Sequence, residues 1–162
     1  MFGEMDSSSE INKAAEGFLN EGDLESLKKL AEENGIEADD VQDYIDGVEE
    51  TLTNDYTAAV GKIKEEIAHE KNMAKKQILQ VIGTLAKEMC TEPEFAKAVR
   101  KKGKKLESVH NALKEGARQH KSGDTGCSCG TDRQLYGIIE AYYKEGKAAA
   151  KKKVDALYEV AG

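Results

Sequence analysis

Apolar residues recur at spacings of three and four along most of the chain, the signature of amphipathic helices. Ile11, Ala14, Ala15, Phe18 and Leu19 mark a short first helix over about 9–20. Gly22 separates it from a second helix, which Asp23 opens and which carries Leu24, Leu27, Leu30 and Ala31. Asn34-Gly35 is a stop signal. Asp39 or Asp40 starts a third helix with Val41, Tyr44, Ile45, Val48 and Leu52 on one face, so 23–52 predicts a helical hairpin. A longer stripe follows: Tyr56, Val60, Ile63, Ile67, Ala74, Ile78, Ile82, Leu85 and Met89. It predicts a long central helix over 54–90, ~50 Å if unbroken. The polar run His69-Glu70-Lys71-Asn72 marks a kink or break within it. Such a stripe serves as the spine of a bundle or as a coiled-coil seam with a second copy. An intramolecular spine fits better, and a homodimer is the alternative.

Beyond the central stripe, Thr91 is placed to cap a short helix, with Pro93 in its first turn and Glu94 completing a capping box. Phe95, Ala98 and Val99 are its apolar side, and Gly103 breaks it. Leu106, Val109, His110, Leu113 and Ala117 pattern the next helix, and 118–130 reads as a loop. Thr131 or Asp132 then caps a helix with Leu135, Ile138, Ile139 and Tyr142 on its core face, where Gly137 would let another helix approach closely. Gly146 sets off a lysine-rich tail helix that docks through Val154, Leu157 and Tyr158. The expected fold is all-α: a multi-helix bundle with an acidic N-terminal helical region (1–53), the long central helix (54–90) and a C-terminal helical subdomain (91–162).

Composition agrees. The 162 residues include one proline and no tryptophan and are rich in Ala, Glu, Lys and Leu, which favours helix over strand. No apolar run approaches the ~18–20 residues of a membrane span. The acidic start lacks the basic and apolar regions of a secretion signal, so a cytoplasmic location is expected. Three cysteines in such a chain suggest free thiols in a reducing compartment.

Charge changes the picture more. The net charge of −7 hides two unlike halves. Residues 1–58 hold 3 basic and 17 acidic side chains, whereas 59–162 hold 21 basic and 14 acidic. Between Ala31 and Gly61 there are ten carboxylates and no Lys or Arg. Asp39, Asp43, Asp46 and Glu50 follow i, i+4, i+7, i+11, which on a continuous helix makes one stripe opposite the apolar face. Neighbours along it would sit ~5–6 Å apart, broadly like phosphates along a strand. Such a face suits a basic groove on a partner; the plainer alternative is a solvated acidic helix. A calcium loop is disfavoured, because no Asp/Asn alternation with glycine and a terminal Glu occurs at the required spacing.

Arg100, Lys101, Lys102, Lys104 and Lys105 cluster around Gly103 and are candidates for phosphate or partner contact, or for helix-end charge and solubility. No aromatics interleave, so base stacking is not indicated. His110 or His120 with Cys127 and Cys129 offers thiolate and imidazole for zinc, but a single Cys-x-Cys lacks a second ligand pair. Buried, reduced cysteines are the better reading, and no metal or other cofactor is expected. Tyr136 and Tyr143, seven apart on one helix, are candidate surface aromatics or packing residues. No constellation of nucleophile, base and oxyanion hole is legible, so an enzyme is not expected.

The order of four motifs resembles a family. Phe95-Ala96 with Val99, Lys104 and Leu106 comes first; His110-Asn111-Ala112-Leu113 with Ala117 follows, then Gly126-Cys127-Ser128-Cys129 and Leu135-Tyr136-Gly137 with Tyr142-Tyr143. This is similar to the PcfK-like proteins, over about 92–147. That family is carried on conjugative elements and phages of Gram-positive gut bacteria, and some members are anti-CRISPR inhibitors of Cas9. The segment around Gly35-Ile36-Glu37-Ala38-Asp39-Asp40 also looks like a module of mobile-element proteins from such bacteria. The chain departs from the family in its Lys/Ala tail helix and at Arg133-Gln134, and the resemblance assigns no functional residue. It implies a non-enzymatic Cas9 inhibitor. The alternative is a nucleic-acid-associated accessory protein of conjugation or replication.

Overall fold

A computed structural model describes residues 5–120 and 131–160 and shows nine α-helices, with no strand among the described residues. They are α1 (Ser8–Glu21), α2 (Leu24–Glu33), α3 (Ala38–Ile45), α4 (Asp55–Ala68), α5 (Met73–Met89), α6 (Pro93–Arg100), α7 (Leu106–Gln119), α8 (Asp132–Glu145) and α9 (Lys147–Val160). The all-α bundle follows from the periodicity. Two apolar cores hold it together. Ile11, Ala15, Leu27, Leu30, Val41 and Tyr44 join α1–α3 and take in Leu52 and Ala58. A larger core runs through α4–α9, from Ile63 and Leu79 to Ile139 and Val154.

Short polar residues set the helix starts by accepting backbone N–H groups that have no partner inside the helix. Ser7 accepts from Glu10, Asp23 from Ser26, Asn54 from Thr57, and Asn72 from Lys75. Thr131 and Gln134 form a reciprocal capping box at α8. Thr91 is not the cap of α6. Glu92 holds that position without a side-chain bond, and the Thr91 hydroxyl donates to Glu88 O.

Two expected helices are shorter than their apolar stripes. The long central helix over 54–90 is two helices, α4 and α5, that pack on each other. Asn72 caps a new N-terminus, and Glu70 accepts the Asn72 N–H. The third helix ends at Ile45 instead of running to Leu52. Gly47 adopts φ 78°, Gly47 N donates to Tyr44 O, and Val48 N donates to Asp43 O at 2.9 Å. This is a Schellman closure, which needs a residue that tolerates the left-handed region. Val48 is consequently 70% exposed instead of facing the core.

One close approach joins the two cores. A Cβ on Gly61 of α4 would lie 2.7 Å from Gly35 O and 2.8 Å from Asn34 O, so only glycine lets the turn after α2 rest on α4. Gly137 of α8, by contrast, faces no atom within 4 Å of an added Cβ, so it does not serve the close helix approach expected of it.

Candidate partner-binding surfaces

The acidic surface survives the shortening of α3, but not as one helical line. Asp39 lies in the first turn and is exposed, while Asp43 is half-buried. Asp46 is the C-cap, and Glu50 lies in the irregular segment beyond it. Glu49 joins them because the turn brings it outward beside Glu50. Gln42 Nε2 donates to Asp46 at 2.9 Å. Among the described residues no cation pairs with Asp39, Asp43, Asp46, Glu49 or Glu50. Lys64 reaches Glu37 at the edge of this surface, at 2.6 Å. That contact holds the Glu37 carboxyl below its ordinary range, through the hydrogen bond first and the lysine charge second.

The basic cluster at Gly103 comes apart in three dimensions. Arg100 is 3% exposed and is not a surface contact. Its guanidinium donates to Met5 O at 3.0 Å, to Ala58 O at 3.1 Å and to Asn34 Oδ1, tying α6 to α4 and to the N-terminal unit. The reason is helical phase: Arg100 follows Val99 and falls on the same side as Ala96, which is buried. Lys104 donates to Tyr142 O at 3.0 Å and lies 4.8 Å from the centre of the Tyr142 ring. The Lys105 backbone N–H is held by the Tyr142 hydroxyl at 2.9 Å. Lys101, Lys102 and Lys105 keep exposed side chains.

Lys62 and Glu66, one turn apart on α4, were not legible as special. Lys62 is 5% exposed, and its ammonium donates to Val99 O and Lys101 O, both at 2.8 Å. It thereby caps the C-terminal end of α6, where free carbonyls and the helix dipole favour a cation. Glu66 Oε1 accepts the Leu106 N–H at 2.7 Å, at the N-terminus of α7, which has no cap of its own. A cation and a carboxylate on one helix face thus serve the opposite poles of two neighbouring helices. Their only sequence signal is indirect: a glycine-broken basic run leaves two helix ends in need of outside partners.

These side chains floor a cleft of about 410 Å³ bounded by Glu33, Glu65, Glu70, Glu107, Lys105 and Leu79. Its rim is mostly glutamate, so this face is not a basic site either. The clearest basic surface is a shallow groove between α4 and α5, where Lys64, Lys76 and Lys87 flank Ile67, Ala68 and Thr84.

Tyr143 is 2% exposed and is not a surface aromatic. It packs edge-on against Phe95 at 5.5 Å and Tyr142 at 4.9 Å, and burial pushes its phenol well above the ordinary value. Tyr136 is half-buried and donates to Glu88 of α5. Seven residues bring both rings to one side of α8, but only the C-terminal end of that side is covered by α6.

His120 ends α7, stacks on Tyr158 at 4.5 Å, and its Nε2 meets Asp155 Oδ1 at 3.0 Å. Cys127 and Cys129, its candidate co-ligands, lie outside the described residues. Among the described residues no three His, Cys, Asp or Glu side chains converge as metal ligands. Cys90 is buried, bonds Ala86 O at 3.2 Å, and burial pushes its thiol up to about 12. No described helix is long and apolar enough to cross a membrane.

In comparison with known proteins, no family model, no curated protein and no solved structure matches the chain.

Proposed function

We propose that this chain is a non-catalytic binding protein whose acidic surface, Asp39, Asp43, Asp46, Glu49 and Glu50, occupies a basic nucleic-acid groove on its partner. The observation that carries the proposal is the exposure of Asp39, Asp46, Glu49 and Glu50, with Asp43 half-buried among them and no described cation partner at any of the five, beside Val48 at 70% exposed. Asp39 and Asp43, four apart on α3, cost that helix a few tenths of a kcal/mol, and a basic partner would reverse that cost on binding. The resemblance to PcfK-like proteins names the partner: a Cas9-type nuclease, in the bacterial cytoplasm. Such a nuclease reads its PAM with arginines and holds nucleic acid in a positively charged channel. An acidic surface competes there by charge complementarity and associates rapidly.

The test is a Cas9 DNA-cleavage assay with the protein added before guide, between guide and target, or after target. Inhibition that weakens when target DNA is bound first is expected. Full cleavage by several orthologues at every order of addition would remove Cas9 as the partner.

The groove flanked by Lys64, Lys76 and Lys87 supports a second reading, an accessory protein that contacts phosphates during conjugation or replication. Its mark is DNA affinity that falls steeply with salt.

A further inference from the structure

α5 packs on α4, α7 and α8 through Leu79, Ile82, Gly83 and Ala86. Its outer side is unusual for a chain in which 34% of residues are charged. From Met73 to Thr84 every exposed position is uncharged. Met73 is 68% exposed, Val81 60% and Ile78 38%. Ala74, Ile78 and Val81 form a line with steps of four and three, the spacing of a coiled-coil seam, and Leu85, next in phase, is buried in the core of its own copy at the end of it.

We infer that this line is a contact between two copies of the chain, with the two α5 helices antiparallel about a two-fold axis between Ile78 and Val81. The sequence along the line is complementary to its own reverse. In that arrangement Ile78 faces Val81, and Ala74, small and exposed, lies beyond them towards the buried Leu85 of the other copy. Lys71, just before the Asn72 cap, faces Glu88, which within its own copy also accepts from the Tyr136 hydroxyl. Gln77 and Thr84 lie opposite each other along the flank. A parallel pairing would set Lys71 against Lys71 and Glu88 against Glu88, and would leave a gap between two Ala74 residues. An isologous contact places the same patch on both partners, so an uncharged middle with opposite charges at its ends suits self-association. It also brings Ile78 and Val81 out of water.

One three-turn helix face is smaller than the ~800 Å² per partner of a standard interface, so a weak, concentration-dependent dimer is expected. Each copy carries −7, and salt screens their mutual repulsion. Dimerisation should therefore strengthen with salt, the opposite of binding through the acidic surface.

Sedimentation velocity of the full chain, from micromolar to about 1 mM and at low and high salt, tests the proposal. The expected result is a monomer–dimer equilibrium that tightens with salt. Val81→Glu should weaken it at least tenfold and leave the melting temperature unchanged, since Val81 touches little in the monomer. Lys71→Glu should weaken it less, and Lys71→Glu with Glu88→Lys should restore it. A monomer throughout, or a dimer indifferent to Val81→Glu, overturns the proposal. Failure of the charge swap to restore association overturns the antiparallel pairing.

Discussion

Asp39, Asp46, Glu49 and Glu50 of the N-terminal unit stand in solvent, whereas Arg100, Lys62 and Lys104 of the C-terminal unit hold backbone carbonyls. The two halves carry opposite net charge in sequence, yet several cations of the basic half are drawn into the fold while these acids stay exposed. The difference comes from architecture. Three short helices closed by turns can keep most of their carboxylates outside. Six packed helices with a broken basic run have helix ends to satisfy, and long cationic side chains reach them from neighbouring elements. A count of charges along a chain therefore predicts a field only where the fold has no use for those charges.

Removing the most engaged cation should produce the largest effect. Arg100→Leu leaves Ala58 O and Asn34 Oδ1 without their donor and unties the two cores, at a cost of roughly 3–5 kcal/mol. The matching change in the other unit, Asp46→Lys with Glu50→Lys, should stay within about 0.5 kcal/mol. Denaturant unfolding of both variants checks the contrast, and equal losses would erase it. Lys62→Met comes next, at about 2 kcal/mol, because the carbonyls of Val99 and Lys101 lose a buried donor.

Two glycines sharpen the same boundary. Gly61→Ala should destabilise by about 1–3 kcal/mol, since its Cβ would press on the backbone of the Asn34-Gly35 turn. Gly17→Ala in α1 meets nothing within 4 Å and should stabilise by about 0.5–1 kcal/mol through helix propensity. Thermal melts that moved both variants in the same direction would contradict this placement of the turn.

Smaller effects involve titration. Burial, then the charges of Lys114 and Lys75, lowers the pKa of His110 below the ordinary histidine value. A depressed pKa contributes stability that is present above about pH 6.5 and is lost as pH falls through the folded value. His110→Gln should flatten that part of the stability–pH curve. Glu37, Glu115 and Asp155 are also depressed, by Lys64, Arg118 and His120. Their contribution disappears below about pH 4, and salt should reduce it because all three are surface groups. Cys90, with its thiol near 12, should resist alkylation in the folded chain at neutral pH and react after denaturation; mass spectrometry of the peptide containing it reads both states.

Much of the fold was legible because capping residues and apolar spacing agreed. Asp23, Asn54 and Thr131 open helices where the pattern placed them. The main miss is an apolar stripe that continued in phase past a terminator: Val48 and Leu52 carried the reading through Gly47. The break expected at His69-Glu70-Lys71-Asn72 is where α4 ends and α5 begins. Burial of single polar residues was less legible still. Arg100, Lys62 and Tyr143 acquire their roles from helices far away in sequence; helical phase puts Arg100 on the side of buried Ala96, but no local pattern sets Lys62 or Tyr143 apart from the exposed Lys101 or the half-buried Tyr136. The acidic patch could be read because it needs no tertiary partner, although its shape depended on where α3 ends.

The most direct test of the central claim is a binding titration against guide-loaded Cas9 with two variants of equal charge change in opposite senses. One carries Asp39→Lys, Asp46→Lys and Glu50→Lys; the other carries Lys101→Glu, Lys102→Glu and Lys105→Glu. The account predicts that the first loses binding by at least a hundredfold, keeps its helical content, and shows no remaining salt dependence, while the second binds as the parent does. Undiminished binding by the first variant, or loss confined to the second, would contradict it.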